Sequence, residues 1–492
     1  MTSVKLIRTK FLIPISEKIG LKTRIKDGYV LLEGNSIKEV GKYSESIGKK
    51  ILNGNKNNTE FLIVGSNKRE NYTLNDIIQL NGVALPGFIK CHGHDHESPL
   101  IGVARDVPLT TWLDEAINPF TGFMNDNYDE LNEKLDESPY YITYLKARLD
   151  DISYGITTAL THHCNFNKYH ASELVRANDV AGTRIFIGIG SQDRHYYEKI
   201  LDKVDEAIKR LDDYHEKHKT NDRATIIPGP DQFFSNGPEL LKALKKWARD
   251  HNTLFHIHSS EEPGTTKWFV ETYGMTPVEY GNSIGILDEN SILAHQVNST
   301  ENDLKILQET GAKIVHNPLA NTILGSGMPP IIKMRKMGIP IAISTDGSGS
   351  ADCQNILSAA RLASQYQKAI NQDAKLLPAM EVLQLITIEG AKLLKVNKGS
   401  LEPGKDADLI VVDLDYPNLT PTRLETVVEN LIWASSGNEI SYVIANGKIL
   451  VDDYDFTTIN REELLYKVQL LAEMFGEYKK TAEKISGTGT HK

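Results

Sequence analysis

The sequence predicts an α/β chain: an eight-stranded (β/α)8 barrel of the TIM type with a small flanking β-domain made from the two ends of the chain. Three observations lead there. Eight short apolar runs alternate with longer amphipathic stretches between residues 84 and 395. Strand-and-turn patterns lie on either side of that region. Histidines and one aspartate recur at the carboxyl ends of the apolar runs, the end at which such barrels carry their active sites.

The N-terminal segment reads as short strands. "YVLLEGNSIKEVG" (29–41) alternates apolar and polar residues and turns at Gly34-Asn35, a hairpin signal. "NGNKNNTE" (53–60) reads as an exposed polar loop. The barrel strands are expected at 84–92, 155–163, 184–191, 224–230, 254–258, 291–296, 312–318 and 340–346. Helices are expected between them, among them 197–214, with Ile200, Val204, Ile208 and Leu211 on one face, and 237–251. Past 395 the strand-and-turn pattern returns in "ADLIVVDLD" (407–415) and "ISYVIANGKILVDD" (440–453), the latter turning at Asn446-Gly447. The chain closes on a helix over 460–480, opened by a capping pattern of Asn460 and Glu463 and carrying a stripe of Leu464, Val468 and Leu471. That stripe reads as packing surface, and the last residues as a frayed tail.

Bulk properties narrow the function classes. A chain of 492 residues with 40% hydrophobic and 24% charged residues is that of an ordinary globular protein. Its formal net charge of -10 argues against non-specific nucleic-acid binding, which needs excess Lys and Arg. Three scattered cysteines, Cys91, Cys164 and Cys353, fit no disulfide framework and suit a reducing cytoplasm. The N-terminus has no signal-peptide pattern, and no apolar run approaches the roughly 18 residues that span a bilayer.

The chemistry concentrates in "CHGHDH" (91–96). A strand points residues i and i+2 to one face, so His92 and His94 can enter the barrel mouth together. His258 and His295 end the fifth and sixth expected strands and Asp346 the eighth. Imidazoles and a carboxylate converging there suit Zn²⁺ or Fe²⁺ with a position left for water.

These segments resemble the amidohydrolase superfamily. "LPGFIKCHGH" is similar to its first-strand motif, "HIHSSE" to its fifth-strand His-x-x-Glu, "ILAHQV" to its sixth-strand histidine and "STDGSGS" to its eighth-strand aspartate, while "GSLEPGKDADLIVVDLD" (399–415) resembles the return to a flanking β-sandwich. "YGMTPVEYG" and "VHNPLANTILGSGMPPI" resemble the branch that holds cytosine, guanine, 8-oxoguanine and adenosylhomocysteine deaminases and triazine hydrolases. The implied organisation is the N-terminal part of a β-sandwich at 1–84, the metal-dependent barrel at 85–395, the rest of the sandwich at 396–456, and a C-terminal helix and tail at 457–492.

The resemblance implies the metal ligands His92, His94, His258 and Asp346, with Glu261 as the acid/base at a ring nitrogen and His295 orienting hydroxide or substrate. It implies one divalent ion, Zn²⁺ ahead of Fe²⁺, since "ATIIPGPDQFFSN" (224–236) lacks the lysine that two-metal relatives usually carry. The metal would make hydroxide available near neutral pH, Asp346 would take its proton, and Glu261 would protonate the ring. The expected activity is hydrolytic release of ammonia from a small cyclic amidine or guanidine: a pyrimidine, purine, pterin, triazine or creatinine-type ring. Alternatives are displacement of an alkylamine or halide from a triazine or opening of a cyclic amide at the same site and, remotely, a non-catalytic assembly protein. Candidates for holding the ring are His96, Trp112, His162, His163, Gln192, Arg194, His195, Asp231 and Gln232. "GPDQ" and "SADCQN" (350–355) depart from the common pattern of relatives. The expected setting is a cytoplasmic homo-oligomer acting on a small molecule, without nucleic acid or membrane.

Overall fold

The structure, a computed structural model, describes residues 2–487 of the chain. The tail expected at the C-terminus runs past that limit, and 488–492 lie outside the described residues. Five strands come first: β1 (Val4–Leu12), β2 (Ile25–Glu33), β3 (Ser36–Lys42), β4 (Phe61–Ile63) and β5 (Leu80–Pro86). Eight follow: β6 (Phe88–Lys90), β7 (Ile156–His163), β8 (Arg184–Ser191), β9 (Ala224–Pro230), β10 (Phe255–Ser259), β11 (Ser291–His295), β12 (Lys313–His316) and β13 (Ile341–Ile343). Four close the set: β14 (Leu409–Asp413), β15 (Ile440–Ala445), β16 (Lys448–Asp452) and β17 (Asp455–Phe456).

The outer groups share one nine-stranded sheet, in the order β17-β16-β15-β14-β5-β1-β2-β3 with β4 on β1. β5 and β14 join the two ends of the chain, antiparallel from Leu409↔Pro86 to Asp413↔Gly82. Both expected hairpin turns are present, between Glu33 and Ser36 and between Ala445 and Lys448. At the second, Asn446 and Gly447 both take positive φ, 49° and 74°, as a primed two-residue turn requires.

The middle eight strands are all parallel and form two four-stranded sheets, β6-β7-β8-β9 and β10-β11-β12-β13. The sheets meet at two seams. At one, Gln232 bridges to His258 and the His258 amide donates to Asp231 O at 3.2 Å. At the other, the Ser344 hydroxyl donates to His92 O at 2.7 Å and accepts from the His92 amide at 3.2 Å.

Three local expectations differ from the structure. The run 84–92 is not one strand: β5 ends in the nine-stranded sheet and β6 begins in the parallel one, with Gly87 between them. A Cβ at Gly87 would run into the Thr157 hydroxyl, so the crossing needs a residue without one. A helix, Glu45–Gly54, follows the first strands, with the Ser44 side chain accepting from Ile47 N. The helix expected from 197 instead runs Val204–His218. Buried Asp202, bound by Lys168 and Arg210 at 2.7 Å each, anchors the extended chain before it.

The closing helix is Arg461–Gly487. Leu464, Val468 and Leu471 are buried, and Phe475 packs on Phe120 and Phe123 at 5.1 and 5.6 Å between ring centres. The three cysteines are free, and Cys91 is turned to the helix Ile388–Leu394, its sulfur 3.7 Å from Gly390 O. No helix among the described residues is long and apolar enough to cross a membrane.

Candidate active site

The strand ends deliver the expected histidines to one place. His94 Nε2 and His258 Nε2 lie 3.1 Å apart. Asp346 Oδ1 is 3.2 Å from His92 Nε2 and 3.5 Å from His94 Nε2. The other ring nitrogens decide the tautomers. His94 Nδ1 donates to His162 O at 3.2 Å and His258 Nδ1 donates to Asp231 O at 2.6 Å. With both Nδ1 atoms protonated, both Nε2 atoms present bare lone pairs to one another.

Protonating a ring would relieve that repulsion, but the site opposes it. Burial first, then neighbouring imidazoles, hold His94 well below the usual histidine range, and burial with His92 lowers His258 to about 3. His92 Nε2 is buried with no hydrogen-bond partner. Two bare lone pairs, the buried His92 Nε2 and an anionic oxygen converging at one point fit a divalent cation. Ligand atoms within 4.8 Å of one another group His92 with His94 and Asp346, His92 with His258 and His295, and His94 with His162 and His258, so His92, His94, His258 and Asp346 could hold such an ion.

Across the same cavity stand Glu261 and His295, with His295 Nε2 3.5 Å from Glu261 Oε2 and 3.7 Å from Asp346 Oδ2. Asn321 Nδ2 is 2.9 Å from His295 Nδ1. Donation from that amide leaves the ring proton on Nε2, aimed into the cavity. His295 and Asp346 both hold left-handed backbone, with φ of 76° and 73°, a strain that persists where the surroundings over-determine it. Burial, then Asp346, Asp231 and Glu97, push the Glu261 carboxyl well above the usual carboxylate range, which favours its protonated form. Burial alone would raise Asp346 as well, but His92, His295 and His258 outweigh it and hold it ionised.

The remaining candidates divide. His96, Trp112, Asp231 and Gln232 line the cavity. His162 and His163 are buried outside its lining: His162 Nε2 donates to Gly229 O at 2.7 Å, its ring 4.8 Å from that of His258, and His163 Nδ1 binds Asn167 O at 3.3 Å. Gln192 is buried behind the wall, bonded to Asn165 and Lys168 at 3.3 Å each. Arg194 bonds Asp193 at 2.8 Å and His195 packs edge-on against Trp268 at 5.3 Å. Neither lines the cavity.

Several lining or supporting residues were not anticipated. His256 Nε2 lies 3.0 Å from His92 Nδ1, and the His-x-His spacing of "FHIH" was a readable signal for it. Glu97 enters from the loop after β6, where Ser350 N and Oγ donate to its Oε2 at 2.9 and 3.0 Å. Gly347 and Gly349 make room, since a Cβ at Gly347 would strike that oxygen. A π-helical turn, Leu113–Ile117, sits between the helices Leu109–Trp112 and Asn118–Asp126 and brings Trp112, Leu113 and Ile117 to the cavity wall. Only about 40 Å³ is left unfilled, room for a few waters.

Comparison with known proteins gives the family and the fold. Residues 83–450 match the amidohydrolase family. The chain is 31% identical over 461 residues to a 5'-deoxyadenosine deaminase of Methanosphaera stadtmanae, covering 93% of this chain and 98% of that one. It is 30% identical over 393 residues to a 5-methylthioadenosine/S-adenosylhomocysteine deaminase of Thermoanaerobacter pseudethanolicus, covering 80% and 86%. Among solved structures, the atrazine chlorohydrolase of Arthrobacter aurescens complexed with zinc superposes with a TM-score of 0.82 at 22% identity, covering 95% of this chain and all of that one.

Proposed function

The chain belongs to the amidohydrolase family, and from that premise we propose that it is a metal-dependent hydrolytic deaminase. The substrate class is a small cyclic amidine, with aminopurines foremost because the curated relatives named above are adenosine-type deaminases. The observation that carries the reading is the pair of bare Nε2 atoms of His94 and His258, 3.1 Å apart beside Asp346 and across one cavity from Glu261 and His295.

A single divalent ion, Zn²⁺ ahead of Fe²⁺, would be held by His92, His94, His258 and Asp346, and would supply hydroxide near neutral pH. Asp346 Oδ2 takes a proton released from water. Glu261, already protonated, gives its proton to the ring nitrogen next to the amino-bearing carbon, which removes the negative charge that addition places there. His295 Nε2–H donates to the oxygen being added. The proton held on Asp346 passes to the departing amine, ammonia leaves as the carbonyl forms, and the proton of the added hydroxyl returns to Glu261.

In the same reading the two parallel sheets close into one eight-stranded barrel over 85–395. The nine-stranded sheet folds over as the β-sandwich of 1–84 and 396–456, and 457–492 forms the closing helix and tail. The protein works as a cytoplasmic homo-oligomer without nucleic acid. The likeness to the triazine enzyme, at 22% identity, bears on fold and does not move the bond broken.

An ammonia-release screen over adenosine, 5'-deoxyadenosine, guanine, cytosine and a triazine, with metal content measured on the same sample, tests the reading. Release from an aminopurine with about one ion per chain is expected. Metal-loaded protein that frees chloride or alkylamine from the triazine, and ammonia from nothing, would overturn it.

A further inference from the structure

The cavity holds two carboxyl groups that the chemistry above does not use. Glu97 is buried on the wall beside the Asp346 loop, and Asp231 is buried on the opposite side, above His258. The protein supplies part of their bonding: Ser350 on one oxygen of Glu97, and the Tyr196 hydroxyl on Asp231 Oδ2 at 2.6 Å. Neither meets a cation in the lining. Among the described residues that line the cavity, none is lysine or arginine. The nearby cations are committed elsewhere: Arg105 to Asp352 at 3.2 Å, Arg194 to Asp193 at 2.8 Å and Lys168 to Asp202 at 2.7 Å.

Two further polar atoms point to a ligand. His96 Nδ1 and Trp112 Nε1 are buried, belong to lining residues 1% and 2% exposed, and have no hydrogen-bond partner. Buried polar atoms are paired in nearly all folded proteins, and an indole N–H can only donate. The space is therefore finished by something that brings both donors and acceptors. Carboxyl groups without a cationic neighbour match ring or sugar N–H and O–H donors, or a positive charge. Apart from the implied metal ion, a buried substrate carboxylate or phosphate would find no countercharge in the lining.

We propose that Glu97 and Asp231 select the substrate, admitting neutral or cationic aminopurine nucleosides rich in hydrogen-bond donors and turning away those that carry a phosphate or carboxylate. This rests on the deaminase reading and narrows it. The two carboxyl groups are specificity residues; the proton transfers stay with Glu261 and Asp346.

The test uses three ligands with one ring: adenosine, 5'-amino-5'-deoxyadenosine and adenosine 5'-monophosphate. Dissociation constants are measured by calorimetry on metal-loaded Glu261→Gln protein, so that selection is read without turnover, and kcat/KM for ammonia release on the wild type. The monophosphate is expected to bind about 100-fold more weakly than adenosine, the amine at least as well. Measured above pH 8, where both carboxyl groups are ionised, Glu97→Gln and Asp231→Asn, each in the Glu261→Gln background, are expected to shrink the adenosine-to-monophosphate ratio about tenfold each. A monophosphate within threefold of adenosine overturns the proposal, and so does a ratio that neither variant changes or a failure of adenosine and the amine to bind. Selective binding with no ammonia from the wild type would leave the selection standing and sink the deaminase reading instead.

Discussion

At the scale of single residues, the site is decided by where imidazole protons sit. Backbone carbonyls hold the Nδ1 protons of His94 and His258, and that commits both Nε2 atoms to a cation. His256 Nε2 lies 3.0 Å from His92 Nδ1 and orients that ring. Such supporting groups typically change metal affinity 10- to 100-fold when lost. His256→Ala is expected to weaken zinc binding by about that factor while the fold is kept, read by competition with a chromophoric chelator; unchanged affinity would mean that the contact is packing alone. Glu261→Gln removes the proton that the ring receives. It is expected to lower kcat by about 10²- to 10⁴-fold with metal content unchanged, and full activity in a folded, metal-loaded variant would contradict its role. The alternation of "CHGHDH" made His92 and His94 legible beforehand, because parity along a strand is a property of the sequence. Glu97 was not legible: its position depends on a loop that leaves β6 and packs into the glycines of "DGSGS", a contact across some 250 residues.

At the scale of elements, the eight parallel strands were visible as apolar runs because each is buried on both faces. The division at Gly87 was not, since β5 and β6 are two strands of different sheets written as one apolar run. The wall of the cavity was the least legible part. Trp112, Leu113 and Ile117 face it through a π-helical turn, and a single widened turn breaks the 3.6-residue period on which helix faces are read. Only about 40 Å³ is free in the cavity that this segment walls. The closing helix holds the segment from behind through Phe475 against Phe120 and Phe123. Phe475→Ala is expected to cost about 3–5 kcal/mol in stability and to quicken amide exchange across 109–126. Unaltered exchange there, in a variant destabilised as expected, would show that the helix does not govern the wall.

At the scale of the whole molecule, seven histidines among the described residues are buried and shifted downward by that burial: His96, His162, His163, His256, His258, His295 and His316. Burial lowers His163 to about 4 and His316 to about 3. The unfolded chain takes up protons on these rings below its ordinary pKa of about 6.5, while the folded chain does not. Their contribution is complete above pH 6.5 and is lost as pH falls toward the folded values. Glu97, raised to about 8 chiefly by burial, Asp231, raised to about 6 by burial, and Glu261, also raised chiefly by burial, act in the opposite direction, so the imidazole effect is read on a single ring. Metal binding adds to the acid sensitivity, because its ligands must be unprotonated. His316 isolates the burial effect. It stands on β12, no metal is expected on it, and neither ring nitrogen has a partner. Between pH 6.5 and 5.5 it should account for about 1 kcal/mol of lost stability. Urea midpoints followed across that interval on chelator-treated protein are expected to fall for the wild type and to fall less steeply, by that amount, for His316→Asn. Equal slopes would mean that His316 is protonated in the folded chain, and that the neutral state of the buried imidazoles, on which the reading of the metal site depends, has to be established ring by ring.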